Sequence, residues 1–171
     1  MPHWTSYIEK PDALKMFKAA YKSKEIGFPF NLYLTLNLEQ MGFDVLECHY
    51  QWAKIRQRLK RFLVRHNQPL VCLWVFENST TNGLHVHSLL YFKNLTKPNI
   101  RKALKIPSAT YETVKLERLY SQQTWDKNIH NLTNYFLKGI RPEHAGLITR
   151  EALSQGEIPG KRVSWTKNIK P

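Results

Sequence analysis

Cysteine is nearly absent from this 171-residue chain. Cys48 and Cys72 are the only two, and their spacing fits no zinc or redox motif. They read as reduced thiols of a cytoplasmic protein. Acidic residues are also scarce: 13 Asp and Glu stand against 26 Lys and Arg, for a formal charge of +13. That excess favours a polyanion, either nucleic acid or an anionic membrane surface. The membrane reading is the weaker one, because the basic residues are spread through a mixed sequence and form no isolated amphipathic segment. No apolar run approaches the length of a membrane span. No apolar core follows Met1-Pro2-His3-Trp4, so the start does not read as a signal peptide. Internal repeats, low-complexity tracts and a Walker loop are all lacking. What is present, 42% hydrophobic and 23% charged residues, fits one globular domain over residues 1–171.

The first fifteen residues look irregular, and Ala13 to Lys24 fits a short helix with Leu14, Phe17 and Tyr21 on one side. Gly27 and Pro29 then break the chain. Phe30 to Leu38 alternates with regularity: Phe30, Leu32, Leu34, Leu36 and Leu38 take one face, Asn31, Tyr33, Thr35 and Asn37 the other. This is the pattern of a half-buried strand with a polar surface. Val45 to His66 reads as a helix, with Trp52, Ile55 and Leu59 at helical spacing. Its other faces carry Lys54, Arg56, Arg58, Lys60, Arg61 and Arg65, either a solvated face or a phosphate-contacting one.

Leu70 to Glu77 and Leu84 to Phe92 form a predicted hairpin around the turn residues Asn78 to Gly83. A short helix over Lys97 to Leu104 is opened by Pro98. A strand follows over Tyr111 to Tyr120, then a helix from Trp125 to Leu137 that Gly139 and Pro142 end. Lys161 to Trp165 is a short final strand. The order predicts an α+β fold with a ferredoxin-like, mostly antiparallel sheet. Helices are expected on one face and an active site on the other.

His85 and His87 flank Val86 in the second hairpin strand, so both imidazoles point to one face. The plain reading is two hydrogen-bonded or surface histidines. Glu77, closing the preceding strand, favours a second reading. The turn brings its carboxylate towards the imidazoles, and two nitrogens with one carboxylate oxygen suit Mg or Mn. His49 and His66 lie on the basic helix and read as unrelated to this group, while His130 and His144 join it only if the fold brings them there.

On a helix turning about 100° per residue, Trp125, Ile129, Leu132 and Phe136 form one stripe. Asn128, Asn131, Tyr135 and Lys138 form a second beside it. Tyr135 alone reads as a boundary tyrosine. Lys138 beside it supplies a charge that favours a phenolate or steadies a phosphate, or else simply caps the helix C-terminus. Tyr21 and Lys24 repeat the same spacing and compete for the role.

Together these residues resemble the HUH endonucleases, in particular the single-tyrosine Rep proteins that initiate rolling-circle replication. The resemblance runs from about Phe30 to Lys138, with the motifs in the family's order. Phe30 to Asn37 is similar to the first motif, His85-Val86-His87 to the metal motif, and Tyr135-Phe136-Leu137-Lys138 to the Tyr-x-x-Lys motif. Glu77 corresponds to the upstream carboxylate of viral Reps.

The resemblance implies a metal, Mn or Mg, held by Glu77, His85 and His87. Tyr135 is then the nucleophile that forms a 5′-phosphotyrosine link, and Lys138 its charged partner. The substrate implied is single-stranded or hairpin DNA of a plasmid, phage or other mobile element. Asn31, Tyr33, Asn37 and Asn131 are candidate DNA contacts. Without a Walker loop, either a host helicase unwinds the DNA or the chain is an excised domain. Two readings compete: a single-tyrosine HUH transposase, and a non-catalytic binder that stacks bases on Tyr33, Trp74 and Tyr91.

Overall fold

A computed structural model describes residues 3–80, 83–94, 96–104, 113–119 and 124–171. The turn residues Thr81 and Asn82 and the ends of the strand predicted over Tyr111 to Tyr120 lie outside them.

The strands are β1 (Trp4–Thr5), β2 (Leu32–Asn37), β3 (Cys72–Ser79), β4 (Gly83–Leu90), β5 (Val114–Arg118), β6 (Ile158–Pro159) and β7 (Val163–Trp165). The α-helices are α1 (Lys10–Glu25), α2 (Cys48–Val64), α3 (Lys97–Leu104) and α4 (Trp125–Phe136). One sheet runs in the order β5-β2-β4-β3-β7. Every adjacent pair in it is antiparallel. A separate small ribbon pairs β1 with β6.

Alternation in the strands sends side chains to two cores. Leu32, Leu34 and Leu36 of β2 and Leu84 and Val86 of β4 pack with Trp52, Ile55 and Leu59 of α2 and Ile100 and Leu104 of α3. The opposite face sends Leu73, Val75 and Leu89 against Ala13, Met16 and Ala19 of α1 and Ile129 and Phe136 of α4. Each large apolar side chain withdrawn from water contributes about 1.5–3 kcal/mol. Cys48 and Cys72 are free thiols buried in the first core.

This corrects the expected layering. The two helices between β2 and β5 do share one face. The flanking helices α1 and α4 cover part of the other, so the sheet is sandwiched. Alternation reports that a strand face is apolar, and Leu73, Val75 and Leu89 supply such a patch for α1 and α4.

Several boundaries also move. The first fifteen residues are not irregular: β1 forms, and α1 begins at Lys10 with Pro11 in its first turn. Proline is favoured there because its missing N–H has no helical partner. β2 starts only at Leu32, and Phe30 falls in the second core, away from the leucines. The long second helix starts as a 3-10 turn, Val45–Glu47, where the Asp44 carboxylate accepts the Leu46 N–H at 2.7 Å. Among the described residues no helix is long and apolar enough to cross a membrane.

Candidate active site

β2, β4 and β3 lie side by side, and their registers set the site. Thr35 and Val75 flank His87, and Asn37 and Glu77 flank His85. On one face this brings together Tyr33 and Thr35 from β2, Glu77 from β3 and both histidines from β4. The C-terminal end of α4 arrives over them with Tyr135. The chain then tightens into a 3-10 turn, Leu137–Gly139, which carries Lys138. These side chains, with Lys115 and Glu117 of β5, line a cleft of about 260 Å³.

Glu77 is at the centre and is 5% exposed. Its Oε2 lies 2.9 Å from Lys138 Nζ and 3.3 Å from His87 Nε2. Its Oε1 is buried and has no hydrogen-bond partner. Burial alone would raise this carboxyl's pKa, but His87 and Lys138 outweigh burial and hold it below its ordinary value. Lys138 is held above the ordinary ammonium value: burial opposes its charge, while Glu77 and Tyr135 favour it more strongly.

His87 Nδ1 lies 2.8 Å from the Tyr33 hydroxyl and 2.9 Å from Thr35 Oγ1. A hydroxyl both donates and accepts, so this pair serves either tautomer of the ring. Burial pushes the Tyr33 phenol strongly up, which keeps its proton in place. His85 Nδ1 lies 2.9 Å from the Gly83 carbonyl. A carbonyl only accepts, so Nδ1 carries the proton and the neutral ring presents its lone pair at Nε2. Burial lowers the His85 pKa and favours that neutral form. The two imidazole rings stand 5.9 Å apart and nearly parallel.

Tyr135 is half-buried beside this group. Its ring centroid is 5.6 Å from that of His87, edge to face. Lys138 Nζ sits 4.0 Å from the Tyr135 ring centroid, and the Arg150 guanidinium approaches the ring at 5.3 Å. A phenol, an ammonium, a buried carboxylate and two imidazoles therefore converge. Such a set can activate a hydroxyl nucleophile and balance charge on an anionic substrate.

The residues singled out in the sequence divide clearly. Glu77, His85, His87, Tyr135, Lys138 and Tyr33 line the cleft. Lys138 is no exposed helix cap, since its side chain is 14% exposed and paired with Glu77. The competitor Tyr21, on α1, packs edge-on against Trp125 of α4, and Lys24 pairs with Asp126. Neither of them lines the cleft. Asn31 is structural: its amide donates to the Phe92 carbonyl and its oxygen accepts the Phe92 N–H. Asn37 is buried and accepts the Gln40 N–H. Asn131 is exposed on α4.

The aromatic platform for stacked bases does not form. Trp74 is 5% exposed in the α2 core, with Arg56 stacked on it at 4.1 Å, and Tyr91 packs on Phe28. The cations of α2 belong to that opposite side of the sheet. Lys115, Glu117 and Arg150 were not marked by the sequence, whereas Thr35 was placed only on the polar face of its strand. Strand alternation from Leu116 would have put Lys115 and Glu117 on the site face, but nothing local singles out Arg150.

Among the described residues, no group of three His, Cys, Asp or Glu is gathered around a common metal position. Lys138 and His87 both occupy Glu77 Oε2. The donor types nevertheless suit a divalent cation: a carboxylate and two imidazoles, Glu77, His85 and His87, line one cleft.

No protein-family model, no curated protein and no solved structure matches the chain.

Proposed function

We propose that the cleft cuts and rejoins single-stranded DNA through a covalent tyrosine intermediate, in the manner of a single-tyrosine HUH endonuclease of the Rep type. The observation that carries this reading is the meeting of Tyr135 and Lys138 with His85, His87 and Glu77 in one cleft. The sheet supports it as well. From β2 to β5 the chain runs β-α-β-β-α-β, with β2 and β4 central and β5 and β3 outside them. That order supports reading this part of the chain as a ferredoxin-like unit.

Tyr135 Oη attacks the scissile phosphorus. A new ester to the tyrosine forms as the bond to the 3′ oxygen breaks. The phenol gives up its proton, and the departing 3′ oxygen takes one up. A later 3′-hydroxyl reverses the exchange, so no bond energy is lost to hydrolysis. Lys138 steadies the developing negative charge beside Tyr135. Tyr33 and Thr35 hold the His87 ring, and Gly83 orients His85. Glu77, His85 and His87 would hold a Mn or Mg ion, which supplies Lewis-acid polarisation of the phosphate. The formal charge of +13 draws the strand to the protein.

Incubation with single-stranded DNA and Mn or Mg, followed by a denaturing gel, tests the reading. The wild-type protein is expected to give a shifted protein–DNA band, as is Tyr21→Phe, while Tyr135→Phe gives none. A band that survives Tyr135→Phe and is lost in Tyr21→Phe refutes the assignment. A replicon initiator yields nicking at one site, whereas strand transfer between two element ends is the mark of a transposase.

A further inference from the structure

We propose that Lys138 is the standing counter-ion of Glu77 and that a divalent cation displaces it, so that metal binding releases the ammonium towards the substrate phosphate beside Tyr135. The inference rests on the reading above and assigns Lys138 a second, sequential duty.

The charge distribution around Glu77 carries the argument. The carboxylate is 5% exposed, so its negative charge needs a partner at all times. Lys138 Nζ provides one at 2.9 Å from Oε2, and His87 Nε2 adds a second contact to the same oxygen at 3.3 Å. Oε1 is left buried with no partner. Both cationic partners meet one oxygen, Oε2, and Oε1 has no protein partner.

Lys138 Nζ sits against Glu77 Oε2, where a cation held by this carboxylate would lie. A divalent ion and an ammonium cannot both sit tightly against one buried carboxylate, because they repel. The stronger charge takes the site, and the lysine has somewhere to go. Its stem is a flexible chain of four carbons rising from a 3-10 turn at the cleft wall. The Tyr135 ring lies directly beneath it, with the centroid 4.0 Å from Nζ. The hydroxyl pair at His87 Nδ1 accommodates the accompanying tautomer change, in which the ring proton leaves Nε2 and is carried on Nδ1.

Titration of the full chain with Mn alone, without DNA, reads the exchange by calorimetry. Lys138→Met removes the competing charge and keeps the stem. It is expected to bind Mn at least about tenfold more tightly than wild type. Lys138→Arg retains the charge and should show no such gain. Glu77→Gln should lose Mn binding. A second measurement needs no variant. Acetylation of Lys138 in wild type, followed by mass spectrometry, should quicken several-fold at saturating Mn relative to surface lysines.

Equal or weaker Mn binding by Lys138→Met, with Glu77→Gln still defective, overturns the exchange and leaves the metal reading intact. Unchanged acetylation at saturating Mn also overturns the exchange. Absence of Mn binding in both wild type and Lys138→Met overturns the exchange together with the metal reading.

Discussion

Lys138 Nζ lies 2.9 Å from Glu77 Oε2, closing an ion pair between the turn after α4 and the end of β3. Both pKa values move in the direction that preserves the pair. Glu77 is lowered, so its contribution to stability is present above the unfolded carboxyl value of about 4.3 and is lost as pH falls through the folded value. Lys138 is raised, so its contribution is present below the unfolded ammonium value of about 10.4 and fades as pH rises through the folded one. Glu77→Gln should therefore cost about 2 kcal/mol at pH 7. The gap to wild type should begin to shrink as pH drops below about 4.3, where the unfolded carboxyl takes up a proton, and should close only once pH falls through the lowered native value. Urea unfolding at pH 7 and pH 3 measures it. A gap of equal size at both values contradicts the ion-pair account.

Tyr33 and Thr35 share the task of holding His87 Nδ1. Either hydroxyl alone can keep the ring in place, so Tyr33→Phe and Thr35→Val singly should have small effects. The double variant leaves Nδ1 without a partner. It should lower Mn affinity by about 10- to 100-fold, the usual range for groups that orient a metal-binding histidine. Calorimetric titration of the three variants is the check, and additive single effects would show that the hydroxyls do not substitute for one another.

Gly83 has φ +69°, and a Cβ there would meet Glu39 Oε2 at 1.7 Å. Glu39 Oε2 also accepts the Leu84 N–H at 3.1 Å, so the clash would pull on the start of β4. Gly83→Ala should cost about 1–2 kcal/mol from the left-handed backbone alone, with more from the displaced carboxylate. In a Glu39→Ala background the second cost should vanish while the first persists. Thermal melts of the four proteins in this cycle separate the two.

Arg162 is 2% exposed, and among the described residues no carboxylate lies within ion-pair distance of it. Its guanidinium donates to the carbonyls of Phe76 at 3.1 Å, Gln155 at 3.3 Å and Thr5 at 2.9 Å, and also to Gly156. It thus ties β3 to the N-terminal ribbon and to the segment before β6. Arg162→Met strands these acceptors and should destabilise the protein by about 3 kcal/mol or more. A drop in the urea midpoint without a change in slope is expected, whereas a loss under 1 kcal/mol would mean that water replaces the guanidinium.

The elements were legible because their signals are local. The alternating leucines of β2 and the spacing of Trp52, Ile55 and Leu59 follow from a two- and a 3.6-residue period, and the antiparallel pairing of β3 with β4 from turn chemistry between two apolar runs. Pro98 marked the start of the helix at Lys97. The ribbon of β1 with β6 was not legible, since two-residue strands far apart in the chain carry no period. Nor was the covering of both sheet faces. The pattern marks a face as apolar and leaves open which helix will lie on it.

The candidate site divides along the same line. Side-chain alternation alone puts His85 and His87 on one face, and helical spacing alone brings Tyr135 and Lys138 near each other. Folding decided that α4 ends over the β3–β4 hairpin, which admits Tyr135 to the cleft and leaves Tyr21 against Trp125. It also decided that Lys138 reaches Glu77 and that the Tyr33 hydroxyl meets His87. Those pairings join residues from different elements. Their distances depend on strand register and helix docking, which the whole core fixes and no local stretch of sequence encodes.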